Sequence, residues 1–261
     1  MVSLLQEVRR NLSDVRHYGP RVLFRHLARL RSDRIARINV PHVGPVLVRS
    51  GDSDMHALRQ VFSGREYDLS GPDPIDRRIR DRYTEILAAG GKPIIVDAGA
   101  NIGAASLSFA AQFPEAKIVA IEPDPANATL LRKNLQGRSN CIVLEAAIGA
   151  ERGFVELNNE GQSWAVRTAR APSGVPVVTI EDALSQSLGD TPFIVKVDIE
   201  GFEKDLFAAN TGWIGLAYAV MIEPHDWMLP GEFSSRSFQQ ALSSHPFELV
   251  IRGENLFYVR V

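Results

Sequence analysis

The stretch Val96-Asp97-Ala98-Gly99-Ala100-Asn101-Ile102-Gly103 decides the fold of this 261-residue chain. It joins an apolar run, residues 93–97, to a helical pattern over residues 102–112. The two glycines in the join let the backbone turn tightly and approach a ligand closely. A strand, a glycine loop and a helix in this order begin a nucleotide-binding α/β unit. The stretch therefore predicts a ligand site at the carboxyl end of a parallel strand.

The same alternation of strands and helices continues along the chain. Short, continuous apolar strands between helices are typical of a parallel sheet that is covered on both faces. The last two runs flank Arg252-Gly253-Glu254-Asn255 and predict an antiparallel hairpin at the sheet edge. We expect an α/β protein with a mostly parallel, seven-stranded, Rossmann-like sheet. The predicted strands after residues 93–97 span residues 117–121, 141–144, 193–197, 217–222, 247–251 and 256–261.

The N-terminal part differs from the rest in charge and pattern. Residues 1–50 hold ten Arg, no Lys and three acids, whereas the whole chain has a formal net charge of −2. An apolar stripe over residues 3–16 predicts an amphipathic helix that packs on the main domain or on a second subunit. A membrane surface or an acidic substrate is the alternative partner of its Arg face. We expect a basic helical arm with a small hairpin in residues 1–75, and a Rossmann-like domain in residues 76–261.

Two segments fall outside the alternation. Residues 38–40 and 46–48 predict the small hairpin, joined across Gly44-Pro45. Residues 150–180 contain apolar runs around a Ser-, Gly- and Pro-rich stretch, which predicts short strands and a mobile loop near the active site.

Composition excludes several classes of protein. The chain has one cysteine, Cys141, which excludes an internal disulfide and a thiolate metal site. It has no run of 18 apolar residues and no secretory signal pattern, so we expect a cytoplasmic protein without a transmembrane segment. The balanced charge gives no general attraction to nucleic acid, and we expect none as a partner.

Four of the predicted strands end in an acid. These residues are Asp97, Glu122, Asp198 and Glu223. Ligands of an open parallel sheet bind outside the carboxyl ends of its strands, so acids at these positions line a cleft. Four acids at equivalent positions are hard to explain by packing alone.

The glycine loop and these acids discriminate among nucleotide ligands. The dehydrogenase fingerprint needs a middle glycine, where this chain has Ala100 or Asn101. A negative Asp97 is ill placed for a pyrophosphate, but it suits the amino group of a methionine moiety, directly or through water. Glu122 can accept hydrogen bonds from both hydroxyls of a ribose. These features favour a phosphate-free adenosyl ligand over a dinucleotide.

Four motifs follow one another along the chain. They are Val-Asp-Ala-Gly-Ala-Asn-Ile-Gly (96–103), Ile-Glu-Pro-Asp-Pro (121–125), Lys-Val-Asp-Ile-Glu-Gly-Phe-Glu (196–203) and Ile-Glu-Pro-His (222–225). Their combination resembles the motifs of the FkbM methyltransferases, over roughly residues 45–260. The resemblance implies a Rossmann-like class I methyltransferase fold with S-adenosyl-L-methionine as the methyl donor. It also implies O-methylation of a hydroxyl on a small molecule, a sugar or glycan, or a secondary metabolite.

The resemblance implies cofactor roles for the residues that match its motifs. Glu122 matches the ribose ligand, and Ala146 and Ala147 follow the third strand where the adenine edge is met. The two alanines offer no acidic side chain to the adenine amine, so a contact there must use the backbone. The cofactor-binding set is Asp97, Gly99, Asn101, Gly103, Glu122, Pro123, Asp124, Ala146, Ala147 and Asp198.

The acceptor side of the predicted site rests on Lys196, Asp198, Glu200, Glu223 and His225. Methyl transfer is an in-line displacement at a sulfonium methyl, and an unactivated alcohol must lose a proton. His225 is a candidate base because its reference pKa lies near neutrality. Asp198 competes for that role because it ends its strand beside the sulfonium.

Other roles remain open for the same residues. Asp198, Glu223 and His225 are oxygen and nitrogen donors that could hold a divalent cation, although we assign no metal from the sequence. His225 could instead be a structural histidine held by Asp226 or by the backbone. Lys196 could form an ion pair with one of the nearby acids.

Three classes of function are compatible with these patterns. The leading hypothesis is an S-adenosylmethionine-dependent O-methyltransferase that acts on a small hydroxylated acceptor. A nicotinamide-dependent oxidoreductase is the second, and the missing middle glycine disfavours it. A non-catalytic adenosyl-ligand-binding module is the third, and the four acids at strand ends argue against it. We also expect a candidate homodimer contact through the N-terminal arm.

Overall fold

Thirteen strands are present in the part of the chain that the computed structural model describes, residues 4–24, 35–49, 53–158, 167–187 and 189–261. They are β1 (Ile35–Val40), β2 (Gly44–Arg49), β3 (Pro93–Ala98), β4 (Lys117–Ile121), β5 (Cys141–Leu144), β6 (Ala147–Ile148), β7 (Gly153–Asn158), β8 (Arg167–Ala171), β9 (Val175–Val178), β10 (Thr191–Val197), β11 (Ala219–Ile222), β12 (Phe247–Arg252) and β13 (Asn255–Arg260).

The helices alternate with these strands. Three short turns add to them: 3₁₀ turns at Pro20–Phe24 and Thr211–Gly215, and a π-helical turn at Arg59–Ser63. The α-helices are α1 (Leu4–Tyr18), α2 (Asp54–Leu58), α3 (Pro74–Ala88), α4 (Ala104–Gln112), α5 (Pro125–Asn134), α6 (Ile180–Leu184), α7 (Glu203–Leu206) and α8 (Arg236–Ser243).

The central sheet has seven strands in the order β5-β4-β3-β10-β11-β13-β12. The first five are parallel, and β13 pairs antiparallel with both β11 and β12. This confirms the predicted Rossmann-like sheet with a C-terminal hairpin at its edge. The chain order reverses between β3 and β10, and a ligand cleft opens at such a reversal.

Helices on both faces bury the middle of this sheet. Every residue of β3 is buried. Successive side chains on a strand point to opposite faces, and accordingly Ile95 belongs to one apolar cluster whereas Ile94 and Val96 belong to the other. Burial on both faces explains why the strand is a continuous apolar run.

The small N-terminal hairpin is confirmed with a different turn. Strands β1 and β2 pair antiparallel, and Pro45 lies opposite Asn39 within the ladder. The turn is therefore formed by residues 41–43 and not by Gly44-Pro45, and His42 has a positive φ of 63° in it. Glycine is the usual residue at a positive φ. Because this turn has His42 there instead, the sequence did not indicate where the turn lies.

Residues 150–180 form more regular structure than the pattern predicted. Strands β6, β9, β7 and β8 make a second, four-stranded sheet in that order. Arg170 on β8 joins this sheet to α7 through two contacts with Asp205, at 2.6 and 2.9 Å. The predicted short strands are confirmed, whereas the predicted loop falls at residues 159–166, outside the described residues.

Helix α1 docks on the segment that follows the hairpin. The Arg59 guanidinium donates to both carboxylate oxygens of Asp14, at 2.8 and 2.7 Å. The Tyr18 hydroxyl donates to the carbonyl oxygen of Leu58 and contacts Ser63 Oγ, each at 2.9 Å. The arm is thus fixed by these polar contacts and by the buried Tyr18, whereas Val8 and Leu12 of the predicted apolar stripe are exposed.

A single apolar cluster runs across the predicted domain boundary at residue 75. Tyr18 and Val46 belong to the same cluster as Ile95 and Phe109. The division into residues 1–75 and 76–261 stays a prediction, as does a dimer contact through the arm. Within the described ranges, no helix combines the length and hydropathy that crossing a bilayer requires.

We predict that Asp14→Asn destabilises the protein by about 1–3 kcal/mol, because it removes one charge of a pair whose acid is buried. The Asp14 side chain is 1% exposed and the Arg59 side chain 26% exposed. Chemical denaturation measures the free energy of unfolding. Glu85→Gln is the matched control, since its pair with Arg82 is exposed at the surface and should contribute less than about 1 kcal/mol. Equal losses in both variants would contradict the assignment.

Candidate active site

Two adjoining cavities open at the carboxyl edge of the sheet, where the chain order reverses. Gly99, Asn101, Asp198 and Glu200 line both of them. The larger cavity has a volume of about 490 Å³. The smaller one is lined by Gly99, Asn101, Ile121, Glu122, Pro123, Asn127, Ala146, Ala147, Ile148, Asp198, Ile199 and Glu200.

The glycine loop after β3 packs directly on the loop after β10. Gly99 has a φ of 77°, and a Cβ atom built on it would lie 1.6 Å from the carbonyl oxygen of Asp198. The backbone N–H groups of Gly99 and Ala100 both donate to the carbonyl oxygen of Ile121, at 3.0 and 2.9 Å. Glycine at position 99 is therefore required by both conformation and space.

Glu122 is tied to the glycine loop from the neighbouring strand. Its Oε2 accepts from the backbone N–H of Asn101 at 2.8 Å. Its Oε1 accepts from the backbone N–H of Asp124 at 3.0 Å and from Asn127 Nδ2 at 3.2 Å. Burial outweighs these hydrogen bonds and raises the pKa of Glu122 to about 7. The carboxylate lines the smaller cavity, and its role as a ribose ligand stays a prediction.

Asn101 has an unusual conformation and an unsatisfied acceptor. Its φ is +50°, in the left-handed region. Its side-chain Oδ1 is buried without a hydrogen-bond partner among the described residues. An acceptor left unpaired in a buried position is costly unless a ligand or water satisfies it.

Asp97 lies behind the loop and lines neither of the two cavities. It is fully buried, and its Oδ2 accepts from Ser106 Oγ at 2.5 Å. Lys196 Nζ lies 3.1 Å from its Oδ1. The predicted contact between Asp97 and the methionine amino group, directly or through water, stays a prediction. The observed contacts give Asp97 a positioning role.

Lys196 forms the ion pairs that the sequence left open. Its ammonium lies 3.2 Å from Asp198 Oδ2 and donates to the carbonyl oxygen of Gly99 at 2.8 Å. Burial alone would lower its pKa, but Asp198 and Asp97 outweigh that effect and hold the pKa well above its ordinary value. Lys196 is therefore a permanent cation and not a base.

His225 lies at the centre of a group of carboxylates. Its Nδ1 contacts Glu203 Oε1 at 2.8 Å, so the partner is Glu203 and not Asp226, which accepts instead from the Ser234 hydroxyl. Its Nε2 faces Asp198 and Glu200 at 3.7 Å. Burial alone would lower the pKa of His225, but Glu203 and the other carboxylates raise it to about 9. This shift disfavours the predicted role of His225 as a base.

The acids around His225 are themselves perturbed. Burial and the charge of Asp198 raise the pKa of Glu200 to about 7 and that of Glu223 to about 8. Glu200 also adopts a left-handed φ of 53°. Strained conformations and shifted pKa values are characteristic of functional sites.

Gly103 and Asp124 start helices and line neither of the two cavities. Gly103 has a φ of 93° at the N-terminus of α4. Asp124 Oδ1 accepts from the backbone N–H of Asn127 at 2.8 Å and caps α5. Glu122, Pro123 and the alanine pair line the smaller cavity. The predicted contacts of all these residues with the cofactor stay predictions.

Sequence reasoning missed several residues that shape the site. Glu203 is part of a motif that was recognised, but nothing in the sequence connects it to His225. Gln60 lies in the π-helical turn and donates to Glu223 Oε2 at 3.3 Å. Such turns occur often at functional sites. Tyr67 and Glu254 also line the larger cavity, and they come from distant parts of the chain.

Residues 97–242 match the methyltransferase FkbM domain. The match covers more than half of the chain and includes the glycine loop and the His225 cluster. The chain belongs to the FkbM methyltransferase family. This membership agrees with the Rossmann-like sheet described above.

Curated relatives of this FkbM methyltransferase match over different lengths. Methyltransferase sdnD of Sordaria araneosa is 46% identical over 80 residues, which are 30% of this chain and 31% of the relative. The 2-O-methyltransferase NoeI of Sinorhizobium fredii is 24% identical over 180 residues, covering 60% of this chain and 73% of the relative. The chain thus spans about a third of the first relative's length and about three quarters of the second's.

A solved structure with a similar arrangement is magnesium protoporphyrin IX methyltransferase from Synechocystis, with bound SAM. It superimposes with a TM-score of 0.36 at 12% sequence identity, covering 82% of this chain and 100% of that chain.

We predict that Gly99→Ala destabilises this FkbM methyltransferase by about 2–4 kcal/mol, because the new Cβ forces the two loops apart. Gly137→Ala is the control. Gly137 also has a positive φ, of 84°, but a Cβ there meets no atom within 4 Å. It should cost only about 1–2 kcal/mol. Thermal and urea unfolding compare the two variants, and a smaller loss for Gly99→Ala than for Gly137→Ala would contradict the packing argument.

Proposed function

We propose that this protein is an S-adenosyl-L-methionine-dependent O-methyltransferase that acts on an uncharged hydroxylated acceptor. The observation that carries the proposal is the pair of adjoining cavities with Asp198 in the wall of both. A donor in one cavity and an acceptor in the other would meet at this residue. In-line transfer of a methyl group needs this end-to-end arrangement.

The smaller cavity has the chemistry that an adenosyl group requires. Glu122 would accept hydrogen bonds from the ribose, and Ala146 and Ala147 leave the backbone free to meet the adenine edge. Among the described residues that line this cavity there is no Lys, Arg or His. A pyrophosphate needs positive charge or helix N-termini, so this lining favours an adenosyl ligand without phosphates over a dinucleotide.

Asn101 would complete the donor site. Its buried, unpartnered Oδ1 is an acceptor for the ammonium of the methionine moiety, and Asn101 lies between the two cavities. S-adenosylmethionine supplies the electrophilic methyl group when bound. The acids near the cavity junction would also attract its positive charge.

The larger cavity fits a polar, uncharged acceptor. Carboxyl groups in its wall accept hydrogen bonds from hydroxyls. They come from Asp198, Glu200, Glu223 and Glu254 and outnumber the cations Lys196 and His225 in the same wall, which disfavours an anionic acceptor. Trp227 lies at its rim and is 63% exposed. Apolar ring faces next to carboxylates suit the mixed surface of a sugar or another polyol. The relative NoeI is named a 2-O-methyltransferase, which agrees with a hydroxyl acceptor.

We assign proton removal to Glu223. Its carboxylate lines the larger cavity but not the smaller one, so it faces the acceptor. In the reaction an acceptor oxygen forms a bond to the methyl carbon while the sulfur–carbon bond breaks, and the hydroxyl proton passes to Glu223. Asp198 would orient the acceptor oxygen, and Lys196 would hold the glycine loop in place beside it.

The donor assignment predicts that S-adenosylhomocysteine binds and that Glu122→Gln weakens binding about 10- to 100-fold, since hydrogen bonds to a charged acceptor are lost. Binding should also depend on pH, because ribose hydroxyls donate to the ionised carboxylate. With a pKa of about 7 for Glu122 in the ligand-free protein, the affinity should fall about tenfold between about pH 8 and about pH 6.

Calorimetry measures both effects. Glu115→Gln is the control, because Glu115 is exposed and its charge is remote from the cavity lining. Folded wild-type protein that binds no S-adenosylhomocysteine overturns the donor assignment. A pH dependence that persists in Glu122→Gln shows that another group causes it.

The acceptor assignment predicts transfer of labelled methyl groups from S-adenosylmethionine to sugars and other polyols, and less transfer to their phosphorylated forms. Glu223→Gln should lower turnover by about 10²- to 10⁴-fold, as expected for loss of a general base, while the dissociation constant of S-adenosylhomocysteine stays close to that of the wild type. Label found on nitrogen and not on oxygen acceptors would refute the proposal.

A further inference from the structure

We propose that Asp198, Glu200 and His225 bind a divalent cation at the junction of the two cavities. One ligand atom from each of these residues lies within 4.8 Å of the others. The sequence had suggested Asp198, Glu223 and His225 for such a site. The structure places Glu200 in the ligand set and adds Glu203 as the residue that orients His225.

The spacing of the donor atoms fits a shared ion better than direct contacts between them. His225 Nε2 lies 3.7 Å from Asp198 Oδ1 and 3.7 Å from Glu200 Oε2. These separations are too long for hydrogen bonds. Ligand atoms that surround one ion at about 2.0–2.2 Å lie roughly 3–4.4 Å from each other, and the observed distances fall within this range.

The second observation is the burial and the hydrogen bonding of the His225 ring. The side chain is only 2% exposed, and its Nε2 makes no hydrogen bond to a described residue, although it points toward the carboxylates. Its Nδ1 is held by Glu203 Oε1 at 2.8 Å. A carboxylate on one ring nitrogen that orients the other nitrogen toward an ion is the common arrangement around metal-bound histidines.

Charge gives an independent reason for a cation. Asp198, Glu200, Glu203 and Glu223 all approach His225 within 3.8 Å or less. The ammonium of Lys196 forms its ion pairs with Asp97 and Asp198, at 3.1 and 3.2 Å. Carboxylates gathered in a half-buried site repel one another, and a bound divalent cation relieves this repulsion.

The donor set indicates the class of ion. Two carboxylates and one imidazole suit small divalent ions such as Mn²⁺, Mg²⁺, Fe²⁺ or Zn²⁺. Asp198 and Glu200 belong to both cavity walls, so the ion would lie where donor and acceptor meet. There it would bind and polarise the acceptor oxygen. This catalytic role rests on the proposed function, whereas binding of the ion does not.

Manganese alone is the probe for the site. The full chain is freed of metal with a chelator and titrated with Mn²⁺, and the electron paramagnetic resonance signal of free Mn²⁺ reports binding. We expect one bound ion. Glu200→Gln and His225→Gln should weaken its binding by about 10- to 100-fold or more, and Glu203→Gln by about tenfold, as for residues that orient a ligand.

Glu254→Gln is the matched control. Glu254 is an acid in the wall of the same cavity but lies outside the ligand set, so its loss should change the affinity by less than about threefold through charge alone. Circular dichroism checks that each variant folds. Glu200→Gln serves as the main test because its side chain is 29% exposed and its replacement leaves the core intact.

Three results overturn the proposal. The first is no Mn²⁺ uptake by folded wild-type protein. The second is equal uptake by the wild type and Glu200→Gln. The third is an equal loss in Glu254→Gln and Glu200→Gln, which would indicate general electrostatic attraction. S-adenosylhomocysteine binding is measured on the same samples: if it binds and Mn²⁺ does not, the metal site falls and the proposed function stands, whereas the reverse result removes the proposed donor.

Discussion

The ammonium group of Lys196 lies buried where strands β3 and β10 end, between the carboxylates of Asp97 and Asp198. Lys196 and Asp97 are direct neighbours in the register of the two parallel strands. The pairing of the strands therefore brings the two side chains together. The same ammonium holds the carbonyl oxygen of Gly99. A buried pair is costly to break from one side. The loops that line both cavities therefore depend on this contact for their position.

Around that contact the protein concentrates carboxyl groups in a place that water reaches poorly. Glu122, Glu200 and Glu223 all have pKa values raised to about 7 or 8, and burial is the largest cause for each. Charged groups in such surroundings interact more strongly than they would in water. The unfavourable free energy of burying these carboxyl groups is offset when a positively charged or hydrogen-bonding partner binds, as is common in functional sites.

The sequence predicted the parts of the fold that local patterns encode. Continuous apolar runs located β3, β4 and β10 because burial on both faces demands apolar residues throughout. The C-terminal hairpin was located by two runs around a short polar turn, although β12 has no buried residue and β13 is buried only at alternate positions. The second sheet was only partly recognised, because its strands are short and half exposed. Three of the four acids at strand ends line the cavities, since strand ends share one edge, whereas Asp97 is buried behind the glycine loop. The side chain that holds His225 was not predicted, because Glu203 meets it only when α7 packs beside the end of β11.

The walls of the two cavities come from different stretches of chain. The residues that line only the smaller cavity belong to β4, to β6, to the loops that follow β4, β5 and β10, and to the first turn of α5. The larger cavity also takes walls from Ser53 to Tyr67 and from Glu254 in the final hairpin. Substitutions in these outlying segments can reshape the larger cavity while the glycine loop and Glu122 keep their geometry. The specificity of the larger cavity can therefore change among related genes while selection preserves the smaller cavity.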